Sequence, residues 1–238
     1  MRVCFLLWAA AILFAQAPRR TPPMRPVVRG REYAVSSMKP EASQVAERIL
    51  RAGGNAFDAI VAGQAVLAQV DGASNGVGSD AQILIYDARA RKVISLNAEG
   101  TAPKLATIAW YKEHNKGELP DSDGLLAGTV PGVVDAWYTM LDRWGTMSFA
   151  QVLAPAIEIA EHGFPLSDRL AAAMNSSKKL KKYASSRKVY LPEGKVWKGG
   201  EIFTNPDLAR TLKRLVEAEK ANAAKGRHAA LLAARDRF

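Results

Sequence analysis

The chain has one cysteine, Cys4, three histidines, no apolar run long enough to cross a bilayer, and a shortage of acidic residues, 23 against 33 lysines and arginines. A lone cysteine closes no intrachain disulfide and leaves no thiolate cluster for a metal. His114, His162 and His228 lie far apart in the sequence, so no pair has metal-ligand spacing, and neither a metal site nor a cofactor is expected. The longest uncharged apolar stretch, Val3 to Ala15, has 13 residues, where a membrane helix needs roughly 20. Preceded by Arg2 and closed by Ala15-Gln16-Ala17, a small-x-small pattern, it reads instead as a signal peptide over residues 1–17. The expected location is therefore periplasmic or secreted, with no stable membrane span once the signal is removed.

A phosphate-cradling loop is also missing. The stretch DGASNGVGSDAQILIYD, Asp71 to Asp87, has Gly76 and Gly78 in GxG spacing, but Ala81 stands where a third glycine belongs, and no Gly-Lys-Ser/Thr follows. Its order is also reversed. A phosphate loop runs strand, glycine turn, helix, so that backbone N–H groups and the helix dipole converge on the anion, whereas here a helix precedes the glycines and a strand follows. These glycines point to a tight backbone turn beside another sheet or a ligand.

What is present is a mixed pattern. Residues 18–32 are rich in proline and arginine and read as an exposed linker. Tyr33 to Met38 has the composition of a short strand. Pro40 then opens a helix with Ala42, Val45, Ala46, Ile49 and Leu50 at helical spacing, stopped by Gly53-Gly54. Ala56 to Val70 is apolar nearly all round and predicts a buried helix, in which Asp58 is either catalytic or, more in keeping with the neighbouring Asn55, a hydrogen-bonded structural group. Ile83–Asp87 and Lys92–Asn97 flank the polar turn ARAR and predict an antiparallel hairpin. Pro131 is expected to open a helix that ends at Gly145. Ser148 and Gln151 form a capping-box pair for the next, interrupted or restarted at Pro155 and ended at Gly163, with His162 as a C-terminal cap. Asn205-Pro206 starts another helix, with Leu208, Leu212, Leu215 and Val216 inward. Ala218 to Phe238 has helical propensity and stops without a cap, as a chain cut short would. Together these segments make an α+β pattern.

The positive charge is concentrated. Lys178 to Lys198 holds eight cationic residues and one acidic, a local charge of +7. With Tyr183, Tyr190 and Trp197 interleaved, nucleic-acid binding by phosphate pairing and base stacking is one reading. A solvated loop is the better one, since no nucleic-acid motif accompanies the run, and no nucleic-acid partner is expected.

GGNAFDAIVA at Gly53 to Ala62, SNGVGSDAQILIYDA at Ser74 to Ala88, LNAEGTAP at Leu96 to Pro103, TVPGVVDAW at Thr129 to Trp137 and LAPAIEIAEHGFPLS at Leu153 to Ser167 occur in that order. Together they resemble the large-subunit half of the γ-glutamyltranspeptidase family, from about Tyr33 to the C-terminus. The resemblance implies an αββα sandwich of the N-terminal-nucleophile hydrolase type, incomplete in this chain, with a domain over residues 33–238. It implies hydrolysis or transfer of γ-glutamyl groups or related amides, by a precursor that cuts itself into a large and a small subunit. The glycine-rich stretch would then be a structural connection into the central sheet.

That chemistry uses an N-terminal threonine whose hydroxyl is activated by its own α-amino group, together with an oxyanion hole. In the family both come from the small subunit, around a Thr-Thr-His type motif, and no histidine here follows a Thr-Thr pair. No catalytic residue is therefore expected in this chain, and its implied partner is the small subunit. In the transpeptidases the segment matching LNAEGTAP carries an arginine that grips the substrate's α-carboxylate. Glu99 stands at that place, and Thr101 stands where acylase-like relatives have theirs, so these two are the candidate substrate-binding residues. A carboxylate there would repel a carboxylate. Two other readings remain open: a non-catalytic truncated remnant or binding module with a basic surface segment, and the first of two separately encoded subunits.

Overall fold

A computed structural model describes residues 27–118 and 124–238. The expected signal peptide and most of the proline- and arginine-rich linker lie outside the described residues. The chain divides into two units, Met1–Ala34 and Val35–Phe238. The described part of the first holds no helix or strand.

The strand expected over Tyr33 to Met38 is not formed. Among the described residues no neighbouring strand gives its backbone groups a ladder, and the Ser37 hydroxyl turns to the Lys39 carbonyl at 2.6 Å. Helix α1, Pro40–Arg51, buries Ala42, Val45, Ala46 and Ile49. Its end is a Schellman turn: Gly53 takes φ +89°, its N–H donates to Leu50 O, and the Gly54 N–H donates to Ile49 O. Helix α2, Ala56–Val70, starts with a capping box between Asn55 and Asp58. Val61, Ala62, Ala65 and Val66 are fully buried, which makes this the central helix, as its all-round apolar pattern implied.

Strands β1, Gln82–Asp87, and β2, Lys92–Asn97, pair antiparallel with Ile85 opposite Ile94. Alternation sorts their faces. Ile83, Ile85, Ile94 and Leu96 pack on the core, whereas Leu84, Tyr86 and Val93 are 79%, 65% and 71% exposed on the other side. After α3, Ile108–His114, comes α4, Val133–Arg143. Its N-cap is Gly132, so Pro131 stands just outside the helix rather than opening it.

Helix α5, Phe149–His162, has the expected Ser148–Gln151 box and ends at Gly163, but runs unbroken through Pro155. The proline removes one backbone bond to the Gln151 carbonyl. Burial of Phe149, Val152, Leu153, Ala156 and Ala160 along the same helix outweighs that loss. A short pair of strands, β3 at Phe164–Pro165 and β4 at Ile202–Phe203, encloses helices α6, Asp168–Ser176, α7, Lys178–Lys182, and α8, Ala184–Tyr190. The basic run read as a loop is therefore mostly helical: Ser177 caps α7 through its hydroxyl, and Leu180, Val189 and Tyr190 pack against the core.

Helix α9, Pro206–Ala221, turns Leu212 and Leu215 inward and packs on α5. Its Glu219 reaches the start of α5, where the carboxylate accepts from Phe149 N and Ala150 N, both at 2.8 Å. Those are two of the donors a helix start leaves without an internal partner. The alanine-rich tail is not one helix: Gly226, at φ +92°, separates α9 from α10, Arg227–Arg237. His228 lies on α10 with Nδ1 3.0 Å from Asp142. His114 ends α3 and stacks on Trp110. His162 closes α5, where a cation suits the helix dipole.

Candidate functional site

Three backbone segments cross at one end of the hairpin. Ala81 and Ala98 exchange both backbone bonds, extending the β1–β2 pairing beyond Gln82 and Asn97. The Val130 N–H donates to the Thr101 carbonyl at 3.0 Å, and the N–H groups of Gly132 and Val133 both donate to the Ser79 carbonyl at 3.2 Å. The crossing requires bare backbone. A Cβ on Gly100 would collide with the Val130 carbonyl, and one on Gly132 with the Ala98 carbonyl. The close approach expected at Gly76 and Gly78 thus occurs here instead, since a Cβ on Gly76 would make only ordinary contacts at 4.0 Å, Gly78 faces open space, and neither takes a positive φ. The glycines of LNAEGTAP and TVPGVVDAW were in plain sight, but a sequence does not say which glycine meets which carbonyl.

Glu99 and Thr101 are both exposed on this crossing. Asn97 sets the turn: its Oδ1 accepts from the Glu99 N–H and from Gln82 Nε2, each at 2.8 Å. The Glu99 carboxylate accepts only a long contact from Gln82 Nε2, 3.4 Å, and meets no cation among the described residues. It is a negative charge facing outward. Thr101 is fixed by its backbone, which leaves its hydroxyl available.

Immediately beyond Thr101 the chain lines an open cavity of about 590 Å³, bounded by Ala102, Pro103 and Ala106, by α3 and by Leu126–Thr129. Among the described residues of its lining, Lys112 is the one that carries a charge. The Tyr111 hydroxyl ties α3 to the far wall by donating to Leu126 O at 2.8 Å. Sequence reading missed Lys112, because nothing in WYKEHNK marks one lysine as facing a cavity.

Asp58 takes no part in this site. It is fully buried, and its two oxygens accept from Asn55 N at 2.9 Å, Thr146 Oγ1 at 2.7 Å, Thr146 N at 3.0 Å and Met147 N at 3.0 Å. The carboxylate joins the start of α2 to the loop before α5, and every lone pair facing that loop is occupied. Among the described residues no group of three or more histidine, cysteine, aspartate or glutamate side chains could hold a metal.

The described residues thus build a charged turn beside an open cavity. A glutathione hydrolase proenzyme of Bacillus subtilis is 32% identical over 187 residues, 77% of this chain but 32% of the relative. An oxamate amidohydrolase proenzyme of Klebsiella pneumoniae is 36% identical over 178 residues, 73% of this chain and 34% of the relative. The crystal structure of Helicobacter pylori gamma-glutamyltranspeptidase superposes with a TM-score of 0.75 at 31% identity, covering 83% of this chain and 58% of that one. The chain thus spans about a third of the length of the curated relatives it matches. The sequence profile described as gamma-glutamyltranspeptidase matches residues 42–235, from within α1 to the last turn of α10. By the extent of that match, taking in the hairpin, the crossing and the helical layer, the chain belongs to the gamma-glutamyltranspeptidase family.

Proposed function

We propose that this chain is the large-subunit portion of an exported amide hydrolase or acyl transferase of the γ-glutamyltranspeptidase type, completed by a small subunit that brings the N-terminal threonine. In the assembled enzyme that threonine's hydroxyl attacks the amide carbonyl and its α-amino group takes the proton. The amine departs, and water or an acceptor amine resolves the acyl-enzyme. This chain's part is to shape and charge the acyl site, with Glu99 and Thr101 at its rim and the cavity beside Lys112 receiving the acyl chain. Residues 1–17 would direct export and residues 18–32 would tether the domain.

The observation that carries the reading is the family match across residues 42–235. Two features support its details. The exposed apolar face of the hairpin, Leu84, Tyr86 and Val93, is the kind of surface a second sheet covers, in keeping with an αββα sandwich that another chain segment completes. The outward charge of Glu99, met by no cation, disfavours an acyl group bearing a carboxylate at that point. Relatives of similar identity are named for different substrates, glutathione and oxamate, so a change of acyl preference within the family is expected.

The test is anilide hydrolysis by this chain alone and by this chain mixed with the small subunit of a relative, with assembly followed by co-elution. The substrates are γ-glutamyl, glutaryl and butyryl anilides, which remove first the α-ammonium and then the carboxylate. Activity should appear only in the assembled mixture, and Glu99→Arg should raise the preference for glutaryl over butyryl by roughly tenfold. An assembled but silent mixture would instead support a non-catalytic remnant. An unchanged preference in Glu99→Arg would remove Glu99 from the acyl site.

A further inference from the structure

The basic run between α6 and β4 has a shape that its sequence did not disclose. Lys181, Arg187, Lys188 and Lys195 line one open cavity of about 610 Å³, whose remaining lining includes the aliphatic side chains of Ala184, Leu191 and Val196. Several surface cations find carboxylates: Lys39 with Asp71, Arg51 with Glu47, Lys213 with Glu161, and Arg235 with Asp135 and Asp236. In this cavity only Lys195 does, donating to Glu201 at 2.9 Å, a contact that holds the Glu201 carboxyl below its usual range. Lys181, Arg187 and Lys188 make no side-chain hydrogen bond or ion pair among the described residues.

Asn175, which also lines the cavity, is fixed in place. The Asn175 amide donates to the Trp197 carbonyl at 2.8 Å and accepts from the Trp197 N–H at 2.9 Å. The Trp197 indole donates to the Tyr190 carbonyl at 2.7 Å, and both rings pack on Phe203. Tyr190 and Trp197 are therefore committed to the interior and unavailable for base stacking. Glu193, at φ +53°, places the one carboxylate in this lining.

We propose that this cleft is an anion-binding site, and that it takes a phosphate ester, as a soluble phosphomonoester or as a phospholipid headgroup. Lys181, Arg187 and Lys188 against the Glu193 carboxylate leave a local charge of +2 (3 − 1), which one carboxylate would only half neutralise. A phosphate offers more oxygens and more charge, two oxygens facing the Arg187 fork and the others facing Lys181 and Lys188. The organic part of the ester lies against Ala184, Leu191 and Val196.

The test uses the full chain and glycerol 3-phosphate as the soluble probe, followed by the indole resonances in nitrogen–proton spectra at low and high salt. Saturable shifts should centre on Trp197, weaken as salt rises, and weaken by roughly tenfold or more in Arg187→Gln/Lys188→Gln. Lys220→Gln, a cation on α9 outside the cleft, should leave them unchanged. Arg187→Lys, which keeps the charge but not the fork, should fall between. Equal binding in all four proteins, or no saturation in the wild type, overturns the proposal. A second arm distinguishes the source. Co-sedimentation with phosphatidylglycerol vesicles but not phosphatidylcholine vesicles, lost in the double variant, assigns the site to a membrane surface, whereas binding of the soluble ester alone assigns it to a free ligand. Binding of a single-stranded oligonucleotide more tightly than the ester, undiminished in the double variant, would place the basic run's function elsewhere and refute the assignment.

Discussion

Replacing Asp58 should reveal how much one buried carboxylate contributes to this fold. Its oxygens receive four donors, Asn55 N, Thr146 N, Thr146 Oγ1 and Met147 N, in a fully buried setting. A hydrogen bond to a charged group is worth about 1.5–3 kcal/mol net, and a buried donor left without a partner costs about 1–3 kcal/mol. The contributions are not additive, because Thr146 can rotate its hydroxyl and water can enter part of the space. Asp58→Ala is therefore expected to cost about 4 kcal/mol, within the range seen when one partner is removed from a buried charged pair or network. In a domain of this size that corresponds to a fall in melting temperature of roughly 8–16 °C. Asp58→Asn should cost less. Its one carbonyl oxygen can still accept from Thr146 N and Met147 N, and its amide can donate to Thr146 Oγ1, so the main loss is the bond from Asn55 N. The assay is thermal and urea unfolding of the full chain, assembled with a relative's small subunit if the isolated chain proves aggregation-prone. A melting temperature for Asp58→Ala within about 2 °C of wild type would refute the reasoning, and so would an Asp58→Asn variant less stable than the alanine.

Two further perturbations probe other links. Gly132→Ala puts a methyl group into the Ala98 carbonyl at the crossing that carries Glu99. It should destabilise by about 1–3 kcal/mol and impair amide hydrolysis by the assembled enzyme, checked by melting and by anilide turnover. Asp87 is held below the ordinary carboxylate range, first by the N–H of Ala90 and also by the Trp144 indole and the N–H of Arg89. A depressed folded value means that the contribution is present above the unfolded value and is lost as pH falls through the folded one. Melting temperatures of wild type and Asp87→Asn should therefore converge under acid conditions and separate near neutrality. A difference independent of pH would show that the carboxylate's charge is not what matters.

The sequence by itself determined the local elements whose causes are local. The glycine stop after α1, the Asn55 and Ser148 capping boxes, the alternation of the hairpin and the apolar girth of α2 are each set by residues within a few positions of one another. It also carried enough ordered motif to reveal the family. Its errors came where distant groups decide. Pro155 sits within a helix because the buried face of α5 outweighs one missing bond. Tyr33 to Met38 forms no strand because pairing needs a neighbour that composition cannot supply. The basic run folds into helices because Trp197, Tyr190 and Phe203 anchor it from beneath.

The candidate site divides in the same way. Glu99 and Thr101 were legible only as candidates, because a motif fixes their place relative to Pro103. Lys112 and the clamp from Ser79 to Gly132 and from Thr101 to Val130 were not, since each joins segments separated by loops of no fixed geometry. Only the tertiary structure decided which glycine lies under which carbonyl and which lysine faces a cavity, because packing and backbone hydrogen bonding act between residues that the sequence keeps far apart.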